Sequence, residues 1–501
     1  MFYKSTRNNA LRFTASEAVL KGLSDDGGLF MPTSLPRLDK SLAELAGMDY
    51  KAVAYEVMKL YLTDYTEEEL KYCIEHAYDD KFDTADKVTL NAAGGAYYLE
   101  LFHGPTIAFK DMALSILPYL MTTAARKNKL KEEIVILTAT SGDTGKAALA
   151  GFADVPGTRI MVFYPKDGVS KIQEMQMVTQ KGGNVRVVGI RGNFDDAQNG
   201  VKAMFNDAAL KEELKSRGYV FSSANSINIG RLVPQIVYYV YSYTRLLKDG
   251  VIGEGEEINI CVPTGNFGNI LAAYFAKHLG VPVGKLICAS NKNKVLTDFF
   301  RSGTYDKLHV MDDDGSFREK REFMLTTSPS MDILISSNLE RLIYLICGED
   351  DFKCADLMKK LVREGSYDID EQMKEKLKDF EAGYADEDAC AAMIKKIFDE
   401  DGYVIDPHTA VAAAVYDTYR KESGDERNCV IASTASPYKF PEAVLKALGE
   451  DVSEGELTDR LNAISGVALP RAITELKDAQ ILHDIVCDKD EMKERVREFL
   501  N

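Results

Sequence analysis

Apolar residues recur at helical spacing through the first 90 positions. Stretches 43–62 and 67–77 each carry an apolar stripe, and Thr66-Glu67-Glu68-Glu69 predicts a capped helix start. From about position 94 the pattern changes to short Val- and Ile-rich runs that end in polar turns and lead into helical patterns. Run 134–137 enters Thr140-Ser141-Gly142-Asp143-Thr144-Gly145 and an alanine-rich helix. Run 159–164 stops at Pro165, and run 185–190 enters Gly192-Asn193-Phe194. Run 258–262 enters Thr264-Gly265-Asn266-Phe267-Gly268-Asn269 and a helix over 270–278. Late in the chain, 429–432 enters Ser433-Thr434-Ala435-Ser436-Pro437 and a helix over 442–448. Strands alternating with helices predict parallel sheets covered on both faces.

The fold class expected is therefore α/β, with two parallel-sheet domains and a mainly helical N-terminal domain. The expected boundaries are 1–90 for the helical domain, 91–225 for a smaller α/β domain and 226–470 for a larger one. A charged stretch near 350–400, including Lys374-Glu375-Lys376-Leu377-Lys378-Asp379, reads as a helical insertion with solvated faces. Residues 471–501 read as a helical tail. Ligands of such folds bind at the carboxyl ends of strands, where the polar turns fall.

Composition narrows the class. A chain of 501 residues with 46% hydrophobic and 28% charged residues is an ordinary globular one with room for several cores. No apolar run approaches the roughly 18 residues of a membrane span, and no signal peptide is visible, so a cytoplasmic location and no membrane partner are expected. The eight cysteines form no CxxC pair and the six histidines show no ligand spacing, which predicts reduced thiols and no metal. A net charge of −17 argues against nucleic acid. It also requires that any small anionic substrate be held by a local cluster of donors. The oligomeric state stays open between monomer and homodimer.

His103-Gly104-Pro105-Thr106-Ile107-Ala108-Phe109-Lys110-Asp111 places one lysine in an apolar setting at a helix start. Desolvation by Phe109, Met112 and Leu114 would free its amine for imine chemistry; the bland alternative is a solvated lysine in a first helical turn. Loop 265–269 suits a phosphate, with glycines turning N–H groups towards one point at a helix N-terminus, or equally a tight strand-to-helix turn. Gly192-Asn193-Phe194 repeats the tripeptide, but Asp195 and Asp196 would repel an anion, so it reads as structural. Neither loop carries GxGxxG, and 140–147 departs from the P-loop at Thr140 and Ala147. Ser141 and Thr144 offer hydroxyls to a second anion or serve as an ordinary cap. Arg231, after Asn225-Ser226-Ile227-Asn228-Ile229-Gly230, offers a bidentate oxyanion clamp or lies on the surface. Tyr238, Tyr239, Tyr241 and Tyr243 read as packing residues.

Together these motifs resemble the pyridoxal-phosphate enzymes of the tryptophan-synthase-β type (fold type II). More closely, the chain resembles the threonine synthase family in its long form, found in fungi and many bacteria. The resemblance runs through Tyr3-Lys4-Ser5-Thr6-Arg7, Asp26-Gly27-Gly28-Leu29, the Lys110 segment, Ser141-Gly142-Asp143-Thr144-Gly145 and Ser226 to Gln235. It continues in loop 265–269, Ser328-Pro329-Ser330-Met331-Asp332 and Asp406-Pro407-His408-Thr409. It implies pyridoxal 5′-phosphate between the two α/β domains, with Lys110 as the imine-forming catalytic lysine. It also implies that Gly265, Asn266, Phe267, Gly268 and Asn269 hold the cofactor phosphate and that Thr434 bonds the pyridine nitrogen. A hydroxyl there cannot keep that nitrogen protonated as an aspartate would. Ser141, Asp143, Thr144, Asn228 and Arg231 are the residues expected at the substrate. Many family members have histidine where Ser436 stands, so position 436 receives no catalytic role.

The implied reaction converts O-phospho-L-homoserine and water into L-threonine and phosphate, by γ-elimination followed by β-replacement. The alternatives are a related lyase or dehydratase using the same cofactor, and a cofactor-binding homologue without catalysis.

Overall fold

The structure is a computed structural model that describes residues 1–501 except 141, 313 and 454. Two parallel sheets organise it. The larger has six strands, in the spatial order Phe380–Tyr384, Val283–Ser290, Ile258–Pro263, Cys429–Ser433, Ala96–Glu100 and Thr89–Ala93. All its pairs are parallel except the last, an antiparallel hairpin at the edge. The smaller has five parallel strands, in the order Val486–Asp488, Val185–Arg191, Thr158–Pro165, Glu133–Ala139 and Tyr219–Ser222. The central strands Ile258–Pro263 and Cys429–Ser433 are buried throughout, as β-branched runs covered on both faces should be.

Sheet membership does not follow the contiguous boundaries read from the sequence. Strand Ala96–Glu100 lies beyond the expected boundary at 91, yet it pairs with Cys429–Ser433 of the larger sheet. The stretch near 350–400 is helical in Asp351–Arg363 and Glu387–Asp401 but also supplies the edge strand Phe380–Tyr384. Only an edge strand tolerates such a mixed sequence, because its outer side is partly open to solvent. The tail from 471 likewise contributes the strand Val486–Asp488, which pairs with Val185–Arg191, before its helix Met492–Phe499.

The N-terminal region begins with a three-stranded antiparallel sheet of Asn8–Phe13, Tyr3–Ser5 and Phe30–Pro32, followed by helices. Capping boxes at Thr14/Glu17, Ser41/Glu44 and Thr66/Glu69 start three of those helices. The apolar stripe of 43–62 forms two helices, Leu42–Ala46 and Tyr50–Tyr61, because the Asp49 side chain accepts from Ala52 N–H and opens the second.

The 20-residue helix Ile229–Lys248 runs through the largest core cluster. The expected packing tyrosines on it are buried, but two also have polar work: the hydroxyls of Tyr238 and Tyr239 donate to Asn269 Oδ1. Among the described residues, no helix is long and apolar enough to cross a membrane.

Candidate active site

Five strands deliver the site at their carboxyl ends: Ala96–Glu100, Glu133–Ala139, Ile258–Pro263, Val283–Ser290 and Cys429–Ser433. Lys110 caps the short helix Asp111–Leu114. The approach to it is tightly held. Thr106 donates its N–H and its hydroxyl to the Asp111 carboxylate at 2.8 and 2.6 Å. Ile107 is buried with φ of 52°, a left-handed conformation that costs a β-branched residue about 1–3 kcal/mol. Its carbonyl accepts from Ser436 N–H at 3.0 Å, and Phe109 N–H donates to Thr434 O at 2.8 Å. These two bonds put Thr434, expected at the cofactor ring, alongside the lysine. Ser436 helps to build the turn, as its hydroxyl accepts from Tyr438 N–H at 3.3 Å.

The Lys110 amine is 3.1 Å from Ser330 Oγ, 3.6 Å from Asp143 Oδ2 and 5.8 Å from the centre of the Phe109 ring. Burial pushes its pKa down; Asp143 pulls it up, and the charges of Lys439 and Arg231 push it down again. The net direction is down, which favours the nucleophilic free amine.

Asp143, expected at the substrate, is spoken for by the protein. Its Oδ1 accepts from Gln173 Nε2 at 2.9 Å and lies 3.1 Å from Lys439 Nζ; its Oδ2 accepts from Ser330 Oγ at 3.2 Å and faces Lys110. Burial alone would raise this carboxyl. The charges of Lys439 and Lys110 and the Gln173 bond overcome burial and hold it well below the usual carboxylate range. Thr144 is partly exposed in the next position of the same helix, Asp143–Phe152. Ser141 lies outside the described residues. The cap of this helix comes from Thr140, whose Oγ1 accepts from Gly142 and Gly145 N–H at 3.0 and 2.9 Å.

Ser330 ties two motifs of the sequence together. Its N–H donates to His408 Nε2 at 3.3 Å, and His408 Nδ1 meets Asp406 Oδ2 at 2.7 Å. That network assigns the imidazole proton to Nδ1. Asn291, at the end of strand Val283–Ser290, anchors the loop by donating to Asp332 Oδ1 at 2.8 Å and Ser328 Oγ at 3.0 Å.

Loop 265–269 meets the lysine through Ser330. A Cβ added to Gly265 would fall 2.6 Å from the Ser330 carbonyl oxygen, so only glycine allows this approach. Phe267 takes the left-handed conformation with φ of 62° and begins the helix Gly268–Leu279. The loop carbonyls of Gly265 and Asn266 accept from Ser336 Oγ and from Asn338 N–H and Nδ2. Among the described residues, none of the N–H groups of 265–269 has an acceptor, and Asn269 Nδ2 is buried without a partner. Such a set of unsatisfied donors at a helix N-terminus suits an anion.

Arg231 is buried rather than on the surface, the alternative its sequence left open. Its Nη1 donates to Ala224 O at 3.0 Å and its Nε is buried with no partner among the described residues. Burial pushes its guanidinium down to about 10. Asn228, expected beside it at the substrate, is committed elsewhere. Its Nδ2 donates to Val19 O and Ser223 O, each at 2.9 Å, and its Oδ1 accepts from Gly230 N–H at 2.8 Å. With both amide hydrogens used, it starts the helix that carries Arg231 and has none left for a ligand. Among the described residues, no group of three or more His, Cys, Asp or Glu is placed to hold a metal ion.

The fold and this lysine-centred site define a pyridoxal-phosphate-dependent enzyme, and residues 89–434 match the family described as pyridoxal-phosphate dependent enzyme. Flanking residues 2–78 and 409–486 match the threonine synthase N terminus and the threonine synthase C-terminal region. The chain belongs to the threonine synthase family. It is 36% identical over 469 residues to the threonine synthase of Schizosaccharomyces pombe, covering 89% of each chain. The crystal structure of PLP-bound threonine synthase from Brucella melitensis superposes with a TM-score of 0.87 at 34% identity, over 100% of both chains. The human protein called threonine synthase-like 1 is 39% identical over 447 residues; the match covers 86% of this chain and 58% of that relative's length.

Proposed function

We propose that the protein converts O-phospho-L-homoserine and water into L-threonine and phosphate. The observation that carries this reading is the meeting of Lys110 and loop 265–269 at Ser330, with Asp143 beside the amine and the charge of Arg231 acting on it. The donors present fit the family's cofactor. A desolvated amine is available for an aldehyde, and unsatisfied N–H groups with the orphaned Asn269 Nδ2 are available for a phosphate. Lys110 is the residue that would hold the aldehyde carbon, loop 265–269 the phosphate, and Thr434 the ring nitrogen. When bound, the cofactor supplies the electron sink that stabilises charge at the substrate's α- and β-carbons.

In this reading the chain's own groups do the rest. The Lys110 amine would remove protons at Cα and Cβ and return them to Cγ and Cα as phosphate leaves and water adds at Cβ. Arg231, whose Nε lacks a partner, and the partly exposed hydroxyl of Thr144 receive the substrate phosphate as it leaves from Cγ. Ser141 belongs to the same proposed anion site. The buried Arg231 is the local cation through which a chain of net charge −17 would hold a dianion. The reading includes a small-molecule substrate, no nucleic-acid partner and a cytoplasmic setting, the last supported by eight free cysteines.

The test is the absorption spectrum of the purified protein before and after phosphohomoserine, with both products measured. Threonine and phosphate should appear in equal amounts, and Lys110→Ala should abolish both turnover and the visible imine band. Release of phosphate without threonine would instead indicate a lyase acting on another amino acid. A spectral change without product would indicate a binding protein.

A further inference from the structure

Asp143 faces two amines, and they are differently placed. Lys110 reaches the Ser330 hydroxyl, whereas Lys439 is fully buried and donates its other bond to the Thr106 carbonyl at 2.8 Å. Lys439 follows strand Cys429–Ser433, on the loop that also supplies Thr434. No motif of the sequence points to it.

A buried carboxylate 3.6 Å from a lone lysine would hold the proton on the amine, and a protonated lysine cannot attack an aldehyde. The second amine changes that balance. We propose that Lys439 is a positioning residue that neutralises Asp143, so that the carboxylate orients the Lys110 amine without keeping it protonated. This rests on the reading of Lys110 as the amine that captures the cofactor.

The surrounding charges agree. Lys110 is faced by Asp143, Lys439 and Arg231, and the last two both oppose a proton on it. Asp143 is faced by Lys439, Lys110 and His408, and Lys439 itself lies within the fields of Asp111 and Lys146. With Asp143 and Lys439 cancelling, Arg231 and burial are left to drive the Lys110 amine towards its neutral form.

The sign follows directly. Removing the charge of Lys439 takes away a repulsion and leaves Asp143 uncompensated, so Lys110 becomes more basic. Its free-amine fraction near neutral pH then falls tenfold for each unit of increase.

The experiment follows the rate at which the full-length protein, freed of cofactor, captures pyridoxal 5′-phosphate, read from the growth of the visible band from neutral to alkaline pH. In Lys439→Met the profile should move to higher pH by about one unit, with capture about tenfold slower at neutral pH. Lys439→Arg should restore the parent profile, Asp143→Asn should move it to lower pH, and Asp143→Asn/Lys439→Met should return it towards the parent. An unmoved profile in Lys439→Met would show that Lys439 is only a strut for the Thr106 loop, and so would a double variant as slow as Lys439→Met. Should Lys439→Met fail to fold by circular dichroism, Asp143→Asn and the double variant decide alone: no downward shift in the first, or an upward shift in the second, overturns the proposal. No substrate enters the measurement, so failure of the phosphohomoserine reading leaves this result untouched.

Discussion

The Ser330 hydroxyl stands between Lys110 and Asp143, 3.1 Å from the amine and 3.2 Å from Oδ2 of the carboxylate. The loop that bears it is anchored by Asn291 at the end of a larger-sheet strand, whereas Asp143 opens a helix after a smaller-sheet strand. One serine therefore couples the two sheets at the amine itself. Its N–H is held by His408, which is held in turn by Asp406.

Ser330→Ala removes a hydrogen bond to the Asp143 carboxylate, worth about 1.5–3 kcal/mol, and a second one to the Lys110 amine. Threonine formation should slow by about tenfold or more, with cofactor still bound and the fold unchanged. Steady-state kinetics and the visible spectrum of the same sample check this. Full turnover in the variant would remove Ser330 from the machinery.

Gly265→Ala probes how closely loop 265–269, the proposed phosphate holder, approaches the Ser330 carbonyl. The new Cβ would meet that oxygen at 2.6 Å and Met331 Cα at 3.3 Å, both backbone atoms that cannot rotate away. Overpacking of this kind costs about 1–3 kcal/mol. Equilibrium titration with pyridoxal 5′-phosphate should show affinity at least about fivefold weaker; unchanged affinity would mean that the loop yields freely.

The buried setting of Lys110 and the strand-to-helix turn of 265–269 were legible because each is a local pattern: an apolar turn into a helix, and glycines after a strand. Lys439 and Ser330 were not, because their meaning lies in partners 333 and 220 residues away in sequence. Asn228, which the resemblance places at the substrate, turns its amide to the carbonyls of Val19 and Ser223, and the first of these lies 209 residues away. In the fold, the alternation of strands and helices was visible, whereas Phe380–Tyr384 and Val486–Asp488 were hidden. Both are short edge strands, and an edge imposes little on its sequence.

His103, at the head of the Lys110 segment, forms a second test through pH. Burial alone would lower its pKa; bonds to Asp83 Oδ1 at 2.8 Å and Glu100 Oε2 at 3.0 Å overcome that and raise it to about 9. A pKa raised from an unfolded value of 6.5 contributes stability that is complete below that value and is lost as pH climbs through about 9. Thermal melts of the parent should therefore fall across this window, and those of His103→Gln should fall less. The two curves should converge above it. Parallel curves throughout would show that the imidazole is not charged in the fold.

Asn228 and Arg231 sit three residues apart and should separate cleanly when each is replaced. Asn228→Ala removes the helix cap and leaves the carbonyls of Val19 and Ser223 short of a donor, a loss of about 1–3 kcal/mol. Its melting temperature should drop. The rise in melting temperature produced by inorganic phosphate, a product of the proposed reaction, should nevertheless survive. Arg231→Gln removes a buried cation that, among the described residues, has no carboxylate partner and an unsatisfied Nε, so the unliganded protein should lose little stability. The protection by phosphate should vanish, because the donor that would bind it has gone. Melts of both variants with and without phosphate decide the matter: protection retained in Arg231→Gln would move the anion site away from this helix.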